Sequence, residues 1–202
     1  MVVEIGSEIR IRDASKELYD WAQENLIIPN PQYRERERRG LWVGNTPKYL
    51  WLYHVDGSDL IVPTGVGKQV RQFLSEKDQI YVHLADNGLL DYKGTIPLYD
   101  YQKEAVEVMQ RTSCGILQSP CGSGKTQMGI ALAAELGRKV LWVTHTQDLL
   151  IQSKTRAEQY FSSETLGTIT AGKAQVGSHI TFATVQTLCK MDLEQFRYTW
   201  DV

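Results

Sequence analysis

The sequence predicts an α/β fold, with a parallel sheet wound with helices in residues 93–202 and a small α+β region ahead of it in residues 1–92. Three observations predict this. Short apolar runs alternate with helix-like stretches from Tyr101 to Lys190. The glycine-bearing stretch Ser119-Pro120-Cys121-Gly122-Ser123-Gly124-Lys125-Thr126 sits between an apolar run and a helical one. The first region shows short alternating strands and turn signals instead, and Asp91-Tyr92-Lys93-Gly94-Thr95-Ile96-Pro97 reads as the linker between the two.

In the first region Glu8 to Ile11 alternates like a strand. Asp13 or Ser15 caps a helix running to about Glu24, with Leu18, Trp21 and Ala22 toward the core. Arg34-Glu35-Arg36-Glu37-Arg38-Arg39 offers arginines to phosphates, but its interleaved glutamates favour a solvated helix or loop. Tyr49 to Tyr53 reads as a strand, and Trp42, Tyr49, Trp51 and Tyr53 read as core aromatics rather than base-stacking ones. Asp56-Gly57 marks a hairpin turn into the strand Leu60-Ile61-Val62. Gly65-Val66-Gly67-Lys68 looks phosphate-binding, yet Gln69 follows where Ser or Thr is needed, so it reads as a turn. Val70 to Leu74 is a short helix and Ile80 to His83 a strand.

In the second region Tyr101 to Arg111 is helical, with Ala105, Val108 and Met109 on one face. Ile116-Leu117 is the strand expected to feed the glycine loop. Lys125 to Leu136 is a helix ended by Gly137. Val140 to Val143 is a buried parallel strand. Gln147 to Tyr160 is a helix with Leu149, Leu150 and Ile151 in the core. Thr168 to Thr170 and Ile180 to Ala183 are strands, and Val185 to Lys190 starts another helical turn.

Composition narrows the class. Hydrophobic residues make up 42% and charged residues 23%, as expected of a soluble globular chain. No apolar run is long enough to span a membrane, and the N-terminus lacks the charged and apolar parts of a signal peptide. Three cysteines, Cys114, Cys121 and Cys189, form no CxxC pair, and the four histidines are scattered, which implies a reduced, cytoplasmic setting without a metal site. The net charge of −2 advertises no global field for nucleic acid, so any such binding is local.

The loop at 119–126 has the chemistry of a triphosphate cradle. Gly122 and Gly124 lack Cβ atoms and allow backbone N–H groups to wrap inward. The following helix brings its positive end to the same place. Lys125 reaches the β- and γ-phosphates, and Thr126 ligates magnesium, so ATP with Mg2+ is the expected cofactor. Ser119 stands where the usual pattern opens with glycine.

Residues around the loop narrow the family. Leu98-Tyr99-Asp100-Tyr101-Gln102 resembles the Q motif region of superfamily 2 helicases, which implies that Gln102 recognises adenine. A glutamine amide matches the donor and acceptor on that base edge. His145-Thr146-Gln147-Asp148-Leu149 with Gln152 resembles motif Ia, although His145 replaces a frequent proline. Thr184-Val185-Gln186-Thr187-Leu188 looks like a third backbone-contacting motif, and Ala171-Gly172-Lys173 resembles the glycine-bearing turn between them. The resemblance is to DEAD/DEAH-type DNA helicases and translocases. It implies a partial RecA-like domain whose Thr146, Gln152 and Thr184 touch the nucleic-acid backbone, with DNA the expected partner. Asn30-Pro31-Gln32-Tyr33, Thr46-Pro47-Lys48-Tyr49-Leu50 and Val62-Pro63 look similar to the accessory domain of phage and bacterial members.

In that family an Asp-Glu pair on the next strand holds magnesium, and a second motor domain supplies arginine fingers. The sequence reaches Val202 before either. The resulting expectation is an ATP-binding N-terminal portion that alone neither hydrolyses ATP nor unwinds DNA, partnered by a missing C-terminal motor domain or a full-length relative. A non-catalytic binding module that regulates a full-length helicase stays open as the alternative.

Overall fold

In the computed structural model, which describes residues 1–202 except 84, 113 and 171, the chain divides into two units, Met1–Leu84 and Ala85–Val202. The first begins with β1 (Val2–Ile5) and β2 (Glu8–Arg12), an antiparallel pair that sets Val3 opposite Ile11. Ser15 starts α1 (Lys16–Asn25) by accepting the Leu18 N–H, and Leu18 and Ala22 are fully buried. β3 (Ile27–Pro29), α2 (Pro31–Arg38) and β4 (Tyr49–Trp51) follow, with β3 and β4 forming a two-stranded ribbon. The arginine-rich stretch is therefore helical, capped by the Asn30 side chain on Gln32 N–H.

β5 (His54–Asp56) and β6 (Asp59–Pro63) form a hairpin whose turn places Gly57 at φ +61°. A single 3-10 turn, Thr64–Val66, leads into α3 (Gly67–Arg71), so Gly65-Val66-Gly67-Lys68 is a turn and a helix start. β7 (Gln79–Val82) lies parallel to β1 and completes the order β5-β6-β2-β1-β7. Val3, Ile9, Ile11, Leu18, Leu60 and Val62 form the core under this sheet. Tyr53 joins them at 8% exposure, but Trp42, Tyr49 and Trp51 stay outside at 82%, 47% and 64%. The core expectation fails for these three because they sit on or beside a ribbon of only two strands, too small to bury both of its faces.

The second unit contains α4 (Asp100–Gln110), α5 (Lys125–Leu136), β8 (Val140–Thr144), α6 (Gln147–Ala157), β9 (Leu166–Thr170), β10 (Lys173–Gln175), β11 (Ile180–Thr184) and α7 (Val185–Leu188). The sheet order is β10-β9-β11-β8. β11 is parallel to both neighbours, and β10 folds back on β9. All of β11 is buried, as a strand covered on both faces requires. α6 packs on β8 and β11, and α4 packs on α5.

Three sequence expectations change here. Ile116-Leu117 forms no strand, and Ile116 is 98% exposed, because no neighbouring ladder pairs with so short a run. In α6 the core face is Leu150, Ser153 and Ala157 at helical spacing, while Leu149 and Ile151 point outward. In α4 the buried residues are Gln102 and Val106, and Val108 is exposed. Among the described residues no helix is long and apolar enough to cross a membrane.

Phe182 is the largest fully buried side chain, set in β11 and touching the Trp142 ring at a 5.9 Å centroid distance. Phe182→Ala is expected to lower stability by about 3–5 kcal/mol. Urea unfolding followed by circular dichroism checks this; a loss under about 1 kcal/mol would mean the site collapses freely.

Candidate nucleotide-binding site

The glycine loop is built around two left-handed residues. Gly122 stands at φ +79° and Gly124 at φ +81°, and Gly124 is the N-cap of α5. L side chains disfavour this region, so glycine at both places follows from the backbone itself. The free N–H groups of the first turn of α5 begin at the loop. Lys125 folds back over it, its Nζ donating to the carbonyls of Ser119 at 3.0 Å and Pro120 at 2.7 Å. The Ser123 hydroxyl donates to Pro120 O at 2.9 Å and lies beside the Ser119 hydroxyl. Thr126 is half-buried in the first helical turn, and Cys121 is an exposed free thiol.

Gln102 ties this loop to α4. Its Nε2 donates to Ser123 O at 2.9 Å, and its Oε1 accepts the Tyr99 N–H at 3.0 Å. The side chain is only 4% exposed. A Cβ added at Gly124 would collide with the Gln102 amide nitrogen. Gln102 thus lies against the glycine loop, and both ends of its amide are bonded to the protein itself.

Beside it lies a cleft of about 450 Å3, lined among others by Leu98, Tyr99, Tyr101, Gln102, Gly124 and Gln127. The Tyr99 and Tyr101 rings are nearly parallel at 5.9 Å, and the Tyr101 hydroxyl donates to Ser123 O at 3.1 Å. Gln127 donates through Nε2 to the Tyr160 hydroxyl at 2.8 Å, while its Oε1 is buried without a hydrogen-bond partner among the described residues. Sequence reasoning passed over Tyr99, Tyr101, Gln127 and the lining Arg156. The two tyrosines lay inside the motif already singled out, and their spacing around Asp100 was the available signal.

The other expected site residues gather at the carboxyl edge of the parallel sheet. Thr144 and Thr184 are paired in register, so the caps that follow β8 and β11 emerge side by side. Thr146 caps α6 by accepting the Leu149 N–H, and Thr184 caps α7 by accepting the Thr187 N–H. Gln186 Nε2 donates to His145 O at 2.6 Å and ties the two ends together. Gln152 is exposed on α6. Thr184 is only 6% exposed, and its hydroxyl is engaged with Thr187, so it supports the edge rather than presenting a hydroxyl there. Next to it a cleft of about 460 Å3 is lined by Thr170, Gly172, Lys173, Gln186, Thr187 and Lys190. Lys173 belongs to the glycine-bearing turn read from sequence, whereas Lys190, two residues beyond Leu188, was not given a contact role there. Ala171 lies outside the described residues.

Residues 95–199 match the ResIII family, described as "Type III restriction enzyme, res subunit". Over 95 residues the chain is 33% identical to the DNA 3'-5' translocase XPB2 of Sulfurisphaera tokodaii, covering 46% of this chain. The chain spans 22% of that relative's length. The crystal structure of the UvsW helicase from bacteriophage T4 is similar with a TM-score of 0.62 and 21% identity, covering 96% of this chain and 78% of that one. This likeness shows the fold, an α/β arrangement with a RecA-like unit. With just over half its residues matched, the chain belongs to the ResIII family and carries part of a superfamily 2 helicase.

Proposed function

We propose that the chain binds ATP with Mg2+ at residues 119–126 and forms the nucleotide-binding part of an ATP-dependent DNA translocase or helicase. The observation that carries this reading is the loop itself: left-handed Gly122 and Gly124, the start of α5, and an ammonium held at the loop's centre. The residues present fit the nucleotide. Left-handed Gly122 has open space where a Cβ would stand, and Gln127 Oε1 is a buried acceptor with no partner among the described residues. The relative named as a DNA translocase supports DNA as the polymer.

ATP supplies a phosphoanhydride whose cleavage drives such motors. The chain's own residues act as follows. Lys125 leaves the Ser119 and Pro120 carbonyls and turns its ammonium to the β- and γ-phosphates. The N–H groups of Gly122 to Thr126 and the positive end of α5 meet the same charge. The Thr126 hydroxyl would hold the magnesium bound with the phosphates. Tyr99, Tyr101 and Gln127 border the base, and Gln102 holds the loop against α4 so that base and phosphate sites keep a fixed spacing.

The sheet edge offers the polymer contact. Thr146, Gln152, Lys173 and Lys190 present hydroxyl, amide and ammonium groups along this edge. Such groups suit phosphates and read no sequence. The Gln186 link to His145 O makes the edge one unit.

Lys125→Ala is expected to weaken Mg-ATP binding at least about tenfold by calorimetry, since a hydrogen bond to a charged group contributes about 1.5–3 kcal/mol. Unchanged affinity rejects the loop as the phosphate site. Gly124→Ala is expected to cost about as much in affinity with helical content retained, because the new methyl strains φ and pushes Gln102 off Ser123. Lys173→Ala with Lys190→Ala is expected to weaken duplex DNA binding uniformly across sequences and lower the salt slope by about 2. A slope equal to that of the parent chain rejects the edge contact.

A further inference from the structure

Residues 31–51 of the first unit contain Arg34, Arg36, Arg38, Arg39 and Lys48 against only Glu35 and Glu37, in a chain with net charge −2. Glu35 pairs with both Arg38 and Arg39, at 2.9 and 2.6 Å. Among the described residues no ion pair engages Arg34, Arg36 or Lys48. The local field is positive although the whole chain is slightly acidic.

Beside these cations stand the three aromatics that the core does not cover. Trp42 is 82% exposed, and its ring lies against Gly44, where an added Cβ would come within 2.8 Å of a ring carbon. Gly44 is left-handed at φ +52°, so a glycine bed supports one side of the ring while the rest stands in solvent. Arg36 fixes the segment by donating to Trp42 O at 3.1 Å. Tyr49 and Trp51 alternate with Leu50 in β4 and share one face of the ribbon. Lys48 Nζ lies 6.0 Å over the Tyr49 ring. The ribbon and helix are pinned together, since the Asn30 N–H donates to Lys48 O at 2.9 Å and the Asn30 side chain to Pro47 O at 2.8 Å.

Large apolar rings in water cost stability unless a partner covers them. Protein interfaces also use Trp, Tyr and Arg, but their centres are depleted of lysine and of unneutralised charge. Here Lys48 lies over the Tyr49 ring, and no ion pair among the described residues engages Arg34, Arg36 or Lys48. Rings held open among unpaired cations match a different ligand, one with flat apolar faces joined by regularly spaced negative charges. Paired bases hide their faces, so the strand must be single. We infer that residues 31–51 are a single-stranded DNA platform: bases stack on Trp42, Tyr49 and Trp51, and Arg34, Arg36 and Lys48 hold phosphates. The choice of DNA over RNA rests on the function proposed above; the platform itself does not depend on the motor unit.

The test uses the full chain and labelled oligo(dT), with 5-iododeoxyuridine oligomers for crosslinking. The expected result is crosslinks mapped by mass spectrometry to Trp42, Tyr49 or Trp51. The Trp42→Ala/Trp51→Ala double variant is expected to lose at least about tenfold in oligo(dT) affinity, while Trp42→Phe retains most of it. Arg34→Ala is expected to lower the salt slope for oligo(dT) by about 0.7. Crosslinks confined to residues 85–202, or a double variant within about twofold of the parent, would overturn the proposal. Equal loss on blunt duplex DNA would overturn it too, since stacking needs unpaired bases. Tighter binding of oligo(U) than of oligo(dT) by the same aromatics would overturn the choice of DNA. Failure of the Lys173/Lys190 prediction alone leaves these readouts untouched, so the two proposals fall separately.

Discussion

The close approach of Gly124 to the Gln102 side chain is the constraint around which the second unit is arranged. It exists only because residue 124 is left-handed and has no side chain. Through it the first turn of α5, the loop carbonyls and the N-terminal turn of α4 become one rigid piece. The Tyr101 hydroxyl adds a second bond to the same Ser123 carbonyl. A loop otherwise rich in glycine and serine would have many conformations, and these bonds select one.

The sheet extends this order to the far side of the unit. β11 is buried along its whole length and paired in parallel with β8 and β9, so the strand ends open at one edge. Small residues make the packing possible. Gly129 of α5 leaves room for the Trp142 ring of β8, and Gly167 of β9 lies against the backbone of residues 175–177. Parallel strands with helices between them place their useful chemistry beyond the carboxyl ends, which is where Thr146, Gln186 and Lys190 stand.

Much of this was legible in the sequence where local chemistry dictates local structure. The glycines at 122 and 124, the Gly137 stop, the Gly57 turn and the Ser15 cap each act within a few residues, and each took its expected form. What failed depended on distant neighbours. Ile116-Leu117 has strand-like residues but no paired strand, and Leu149 and Ile151 are apolar yet lie off the face set by Leu150, Ser153 and Ala157. The aromatics of residues 42–51 look like core residues until the two-stranded ribbon that carries them is known. Sequence marks Gln102 for the adenine edge, and nothing in it says that its amide meets Ser123 O.

Lys125 rests on two carbonyls of its own loop, and this has a consequence for selectivity. The loop holds a positive charge that is already solvated by protein. An incoming anion must outcompete two hydrogen bonds before it gains the ammonium, so its net attraction is a difference between two states. A lone monoanion has little to offer in that exchange. A polyphosphate, with several oxygens reaching the helix start and the glycine N–H groups together, offers much more. If the loop takes phosphates as proposed, the resting lysine would set a threshold against small anions.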